Sequence, residues 1–99
     1  MHARMFAFEG SSEEIEAAVA LAREEILPLE REMSGFRGLI LLSDKETGRL
    51  ITLSLWESEE LMLQSEASAR MIIRVAAQSL GGKRRAVEPF DVELFELAT

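Results

Sequence analysis

The sequence predicts an α+β domain in which a four-stranded antiparallel sheet carries two helices on one face. Three observations predict it. Two apolar runs, Gly35 to Leu42 and Arg49 to Trp56, flank a polar turn segment and read as a β-hairpin. Two helical patterns begin at serines suited to capping, Ser11 and Ser58. A strand-like stretch lies near each end of the chain.

The hairpin is the best-defined element. Ser43 to Gly48 is polar and ends in glycine. Asp and Thr favour turns through side-chain to backbone hydrogen bonds, and Gly48 can take the positive φ that closes a longer loop. In the second arm Ile51, Leu53 and Leu55 point one way, and Leu50, Thr52, Ser54 and Trp56 the other. In the first arm Leu39 and Leu41 oppose Ile40 and Leu42. Both faces of this hairpin are largely apolar, so both need cover.

The other elements follow in order. Residues 3 to 8 read as a strand with Arg4, Phe6 and Phe8 on one face and Ala3, Met5 and Ala7 on the other, broken by Glu9-Gly10. Ser11 with Glu14 forms a capping box, and Ile15, Val19, Ala22, Ile26, Leu29 and Met33 make the apolar stripe of the helix that follows. Pro28 lies inside that stripe, which predicts a kink near Glu24 to Leu27. Ser34-Gly35 ends the helix. Ser58 caps a second helix predicted to run to about Leu80 and to stop at Gly81-Gly82, with Ile72, Ala76 and Leu80 inward and Glu66, Arg70, Arg74 and Gln78 outward. Lys83-Arg84-Arg85 reads as a basic loop, and Phe90 to Leu97 as the last strand, entered at Pro89.

The order β-α-β-β-α-β is the ferredoxin-like arrangement. Its helices cover one face of the sheet, and the other face would carry apolar rows from several strands. A second copy packed sheet against sheet is the simplest cover, so an obligate homodimer through the sheet face is expected.

Ninety-nine residues, 47% of them hydrophobic, allow one domain over residues 1–99 with a small core. The net charge of −7 argues against a nucleic-acid partner. Acids concentrate between Glu9 and Glu32 and bases between Glu66 and Arg85, which reads as solvated charged faces. No apolar run is long enough for a membrane span and the first residues lack a signal-peptide layout, so no membrane partner and a cytoplasmic location are expected. With no cysteine, thiolate chemistry and disulfides are excluded, and the single His2 excludes a histidine-rich metal site.

Pro28-Leu29-Glu30-Arg31-Glu32-Met33-Ser34-Gly35-Phe36-Arg37-Gly38, the hairpin tip Asp44 to Gly48, and Ser54-Leu55-Trp56-Glu57-Ser58-Glu59-Glu60 resemble the antibiotic biosynthesis monooxygenase-like family of the dimeric α+β barrel superfamily. The resemblance extends over nearly the whole chain through the order and length of its elements. It implies a pocket between helices and sheet. The family's cofactor-free oxygenases act on polycyclic phenols, with the substrate carbanion itself reducing oxygen, so no cofactor is implied.

Trp56 matches the family's tryptophan at the end of the third strand, where it would orient substrate or donate its indole N–H, and it is the candidate catalytic residue. Thr52 and Ser54 share its strand face, and with Phe6, Phe8, Met71 and Arg4 they are the candidate substrate-binding residues for a flat, mostly apolar ligand. The chain departs from the family pattern in two places. No helix carries the histidine of the haem-degrading members, and there is no asparagine, so Thr52 or Ser54 would replace the oxygenases' polar sheet residue. No strong general base stands at an obvious pocket position.

Two functions are therefore carried forward. One is a cofactor-independent monooxygenase acting on a small phenolic or quinone-like substrate. The alternative is a non-catalytic homodimeric module that binds a small ligand or simply assembles, its pocket filled by Phe6, Phe8, Met71 and Trp56.

Overall fold

Strand β1 (His2–Glu9) runs through the middle of the protein and pairs antiparallel on both sides. The structure, a computed structural model, describes residues 1–65 and 84–98. After β1 come helix α1 (Ser12–Leu21), a π-helical turn (Ala22–Ile26) and helix α2 (Leu27–Arg31). Strands β2 (Phe36–Asp44) and β3 (Arg49–Trp56), helix α3 (Glu59–Gln64) and strand β4 (Arg84–Asp91) follow. The sheet order is β2-β3-β1-β4, all antiparallel, which is the ferredoxin-like order expected from the sequence.

The register decides the faces. Arg4 lies opposite Ser54, Phe6 opposite Thr52 and Phe8 opposite Leu50, so these residues share a face with Leu39 and Leu41 of β2. Phe8 and Leu50 bury themselves against Ile15 and Ala18 of α1, which identifies this as the helix-covered face. The opposite face carries Met5, Ala7, Ile40, Leu42, Ile51 and Leu53; Leu42 is exposed and the others are only partly buried.

Local chemistry builds the connections as predicted. Ser11 Oγ accepts the Glu14 N–H while the Glu14 carboxylate accepts the Ser11 N–H, completing the capping box. At the hairpin tip Asp44 Oδ1 accepts the N–H groups of Glu46 and Thr47, and Gly48 adopts φ +72°. A Cβ on Gly48 would stand 2.6 Å from the Gly10 carbonyl oxygen, so this crossing requires glycine on both counts.

Two expectations are corrected. The last strand is Arg84–Asp91, not Phe90 to Leu97, and it takes in two residues of the expected basic loop. Pro89 pairs with Arg4 inside β4, which an edge strand tolerates because one row of its backbone groups needs no ladder partner. Beyond it, Val92 N–H still donates to Met1 C=O, while Leu94, Phe95 and Leu97 are exposed and outside any strand.

The first helix also departs from its predicted stripe. Ile15, Ala22 and Ile26 are buried, but Leu29 is exposed and Glu30 is buried in its place. The π turn is the cause. Leu27 N–H bonds back five residues to Ala22 C=O, just before Pro28, which has no N–H to give. The widened turn carries the inward face from Ile26 to Glu30. The predicted break near Pro28 thus exists, and the helix continues past it. The second helix is described from Glu59 to Gln64; its predicted course to Leu80, its stop at Gly81-Gly82 and Met71 lie outside the described residues.

Candidate functional site

The helix-covered face divides into an apolar half and a polar half. Phe8, Leu50, Ile15 and Ala18 close the apolar half, with Phe6, Val19 and Leu41 packed against them. Phe6 and Phe8 stand 6.3 Å apart at a tilt of 39°. The polar half lies over the start of β1 and the end of β3. Because α1 begins near the far end of β1 and runs back along it, the end of α2 and the beginning of β1 meet there, bringing Glu30 within the field of Arg4.

Arg4 is the centre of that half and is only 7% exposed. Its Nη2 donates to Met62 C=O at 2.6 Å, and both Nη atoms reach Ser65 Oγ at 3.4 Å. The guanidinium therefore caps the carbonyl end of α3, where a cation is favoured by the helix dipole. Ser65 Oγ also donates to Met62 C=O at 2.6 Å. The Arg4 guanidinium carbon lies 5.7 Å from the Trp56 ring centroid, a cation–π approach.

Trp56 is 1% exposed. Its Nε1 donates to Ser54 Oγ at 2.9 Å, two residues back on the same strand face, and Phe36 packs edge-on against its ring at 5.5 Å and 70°. Phe36 reaches that face through a bulge: Phe36 pairs with Trp56 but Gly38 pairs with Leu55, so one extra residue turns the aromatic ring onto the helix side. Gly35, φ +82°, leads into the bulge, and its carbonyl accepts the Glu57 N–H at 2.7 Å.

Glu30 is 6% exposed, and burial pushes its carboxyl up from 4.5 to about 7, with the positive charge of Arg4 opposing the rise. The sequence marks no general base here; Glu30 places a buried carboxyl on this side, its ionisation raised by burial. Spacing alone did not mark it: Ala22, Ile26 and Glu30 are four apart, a line that a regular helix drifts off and that the widened turn restores.

Of the candidate residues, Arg4, Ser54 and Trp56 are brought together in the polar half. Thr52 is half-buried next along the same face. Phe6 and Phe8 belong to the apolar half. Among the described residues, two cavities are formed on the helix side. One, about 170 Å³, lies between the first helix and β2, lined by Val19, Ala22, Arg23, Leu27, Leu39 and Leu41. The other, about 200 Å³, lies between the end of α2 and α3, lined by Met33, Ser34, Leu61, Gln64 and Ser65. Trp56 lines neither.

Among the described residues no group of three or more His, Asp or Glu is placed to hold a metal ion, and no helix is long and apolar enough to cross a membrane. His2 Nε2 instead meets Asp91 at 2.9 Å and Glu59 at 3.5 Å, tying β1 to β4 and α3.

No protein-family model matches the sequence. The chain is 33% identical over 92 residues to the uncharacterized protein Rv2557 of Mycobacterium tuberculosis; the match covers 93% of this chain and 41% of that protein. The chain thus spans about two fifths of the length of the relatives it matches. Among solved structures it resembles a monooxygenase from the gene ActVA-Orf6 of Streptomyces coelicolor, in complex with nanaomycin D. The TM-score is 0.78 at 14% identity, covering 99% of this chain and 92% of the other. It also resembles SnoaB, a cofactor-independent oxygenase from Streptomyces nogalater, with a TM-score of 0.62 at 14% identity, covering 95% and 92%. The chain shares the fold of antibiotic biosynthesis monooxygenase-like proteins.

Proposed function

We propose that residues 1–99 form one domain acting as a cofactor-independent monooxygenase on a small phenolic or quinone-like substrate, held between helices and sheet at the polar half of the site. The observation that carries this reading is the burial of two ionisable groups, Arg4 beside Trp56 and Ser54, and Glu30 within reach of the Arg4 charge. Burying two ionisable groups costs stability that well-packed apolar side chains would not, so their presence points to a functional demand. In such a reaction the ionised phenol is its own reductant. A phenol and dioxygen give a quinone and water, and the protein contributes a place for the proton and a positive charge beside the anion. Arg4 supplies the charge, Trp56 and Thr52 supply flat and polar walls, and Phe6 and Phe8 bound the apolar side.

Met5, Ile40, Leu42, Ile51 and Leu53 on the outer face support a homodimer packed sheet to sheet, since a contiguous apolar patch of this kind marks an interaction surface.

The burial of Trp56 favours a second reading, a non-catalytic dimeric module whose pocket is filled by its own side chains. Oxygen uptake with a panel of phenols and quinones, together with Trp56 fluorescence, separates the two. Oxygen consumption stoichiometric with loss of one substrate class supports the enzyme. Unquenched, blue-shifted emission with no oxygen uptake from any member supports the module and removes the enzyme reading.

A further inference from the structure

We propose that the cavity between the first helix and β2 binds a compact aliphatic monocarboxylate, its hydrocarbon body inside and its carboxylate on Arg23. Arg4, Ser54 and Trp56 do not line this cavity. The site is therefore separate from the polar half, and it stands whether or not the domain oxidises a phenol.

The lining sets the chemistry of the ligand's body. Leu39 and Leu41 of β2 form one wall, and Val19, Ala22 and Leu27 form the other. These five side chains carry no hydrogen-bond donor or acceptor and no aromatic ring. Among the described residues Arg23 contributes the one polar side chain of the lining. A ligand matching it has an aliphatic body with a single polar end. A dicarboxylate or a sugar would leave a polar group against hydrocarbon.

The charge sets the chemistry of that end. Arg23 lies four residues after Val19 and four before Leu27, in the middle of the helical wall. The side chains three to five positions away are Ala18, Val19, Ala20, Ile26, Leu27 and Pro28, so no acid stands one turn away to neutralise it. Among the described residues no carboxylate pairs with Arg23, whereas Lys45 meets Glu16 at 3.0 Å and Arg37 meets Glu57 at 3.9 Å. The planar guanidinium fork matches a carboxylate through two parallel hydrogen bonds.

The backbone and the volume complete the argument. Ala22 and Arg23 are the first two residues of the π-helical turn, and such turns occur frequently at functional sites. Ala22 presents a single methyl to the cavity, where a leucine would fill the gap. A buried apolar cavity of about 150 Å³ takes up benzene, so one of about 170 Å³ has room for an aliphatic body of about six carbons.

The test combines calorimetry and isotope-edited NMR with hexanoate and its neutral counterpart, hexanamide. The hexanoate chain is expected to show cross-relaxation with the methyl groups of Val19, Leu39 and Leu41, with Trp56 emission unchanged. Affinity is expected to rise about tenfold from butanoate to hexanoate and to level off at decanoate, whose extra carbons lie outside the cavity. Arg23 is exposed, so Arg23→Gln is expected to weaken hexanoate about two- to fivefold, leaving hexanamide unchanged. Leu39→Phe fills the cavity from β2 and is expected to abolish binding of both. Equal affinity of wild type and Arg23→Gln for hexanoate overturns the role of Arg23. Cross-relaxation with Met62 or the Trp56 ring instead places the carboxylate on Arg4 and overturns the site. A continued rise to decanoate, or full affinity in folded Leu39→Phe, overturns the assignment to this cavity. No saturable binding of hexanoate overturns the inference as a whole and leaves the oxygenase reading standing, since oxygen uptake decides that reading.

Discussion

Replacing Glu30 with glutamine is expected to stabilise the fold above neutral pH while changing it little in acid. The carboxyl is 6% exposed and its ionisation is displaced from 4.5 to about 7. Below pH 4.5 both the folded and the unfolded chain hold the proton, and the group has no net effect. As pH rises, the unfolded chain releases the proton first, so stability falls by up to about 1.4 kcal/mol per pH unit until the folded carboxyl also ionises near pH 7. The loss accumulates to about 3 kcal/mol and stays constant above that. Glutamine has nearly the shape of the protonated acid and does not titrate. Urea denaturation of wild type and Glu30→Gln at about pH 5 and pH 8 measures the difference directly. A stability gap that widens by about 3 kcal/mol toward pH 8 supports the buried-carboxyl account. A gap that stays constant with pH refutes it, because Glu30 would then ionise alike in both states.

Three further outcomes follow from particular contacts. Gly35→Ala places a Cβ 2.6 Å from Leu61 Cδ1 at φ +82°, and is expected to cost about 1–3 kcal/mol, read as a thermal melt lowered by several degrees. Trp56→Phe removes the donor to Ser54 Oγ and part of the surface under Arg4, with an expected loss of about 1–3 kcal/mol in denaturant unfolding; an unchanged midpoint would mean that the tryptophan is not packed as described. Leu53→Lys on the outer sheet face is expected to leave helicity intact and to convert a dimeric sedimentation profile to a monomeric one at micromolar concentration. A wild type already monomeric at that concentration defeats the sheet-to-sheet proposal.

The capping box at Ser11, the hairpin closed by Asp44 and Gly48, and the shared face of Arg4, Phe6 and Phe8 are all legible in the sequence. Each depends on residues within a few positions of one another, or on the strict alternation of a strand. The site was legible in part. Arg4, Ser54 and Trp56 were placed on one face by parity alone, but the partners that define their chemistry were not. Met62 lies in α3 and Ser65 caps its end, and nothing in their neighbourhood in the chain marks them as the acceptors for Arg4.

The residues of this chain determine by themselves the first three strands, where the helices start, and in what order the elements come, because short-range hydrogen bonds and periodic burial encode those features locally; the bounds of β4 they do not determine. Only the tertiary structure decides that Glu30 turns inward, since one widened turn ahead of Pro28 rotates the helix end by a residue. It also decides that Phe36 turns onto Trp56 and that Pro89 sits within a strand, since a bulge and an edge position are properties of pairing between strands. The raised ionisation of Glu30 belongs to that second class as well: it arises from the water excluded when sheet and helices close, which no single segment specifies.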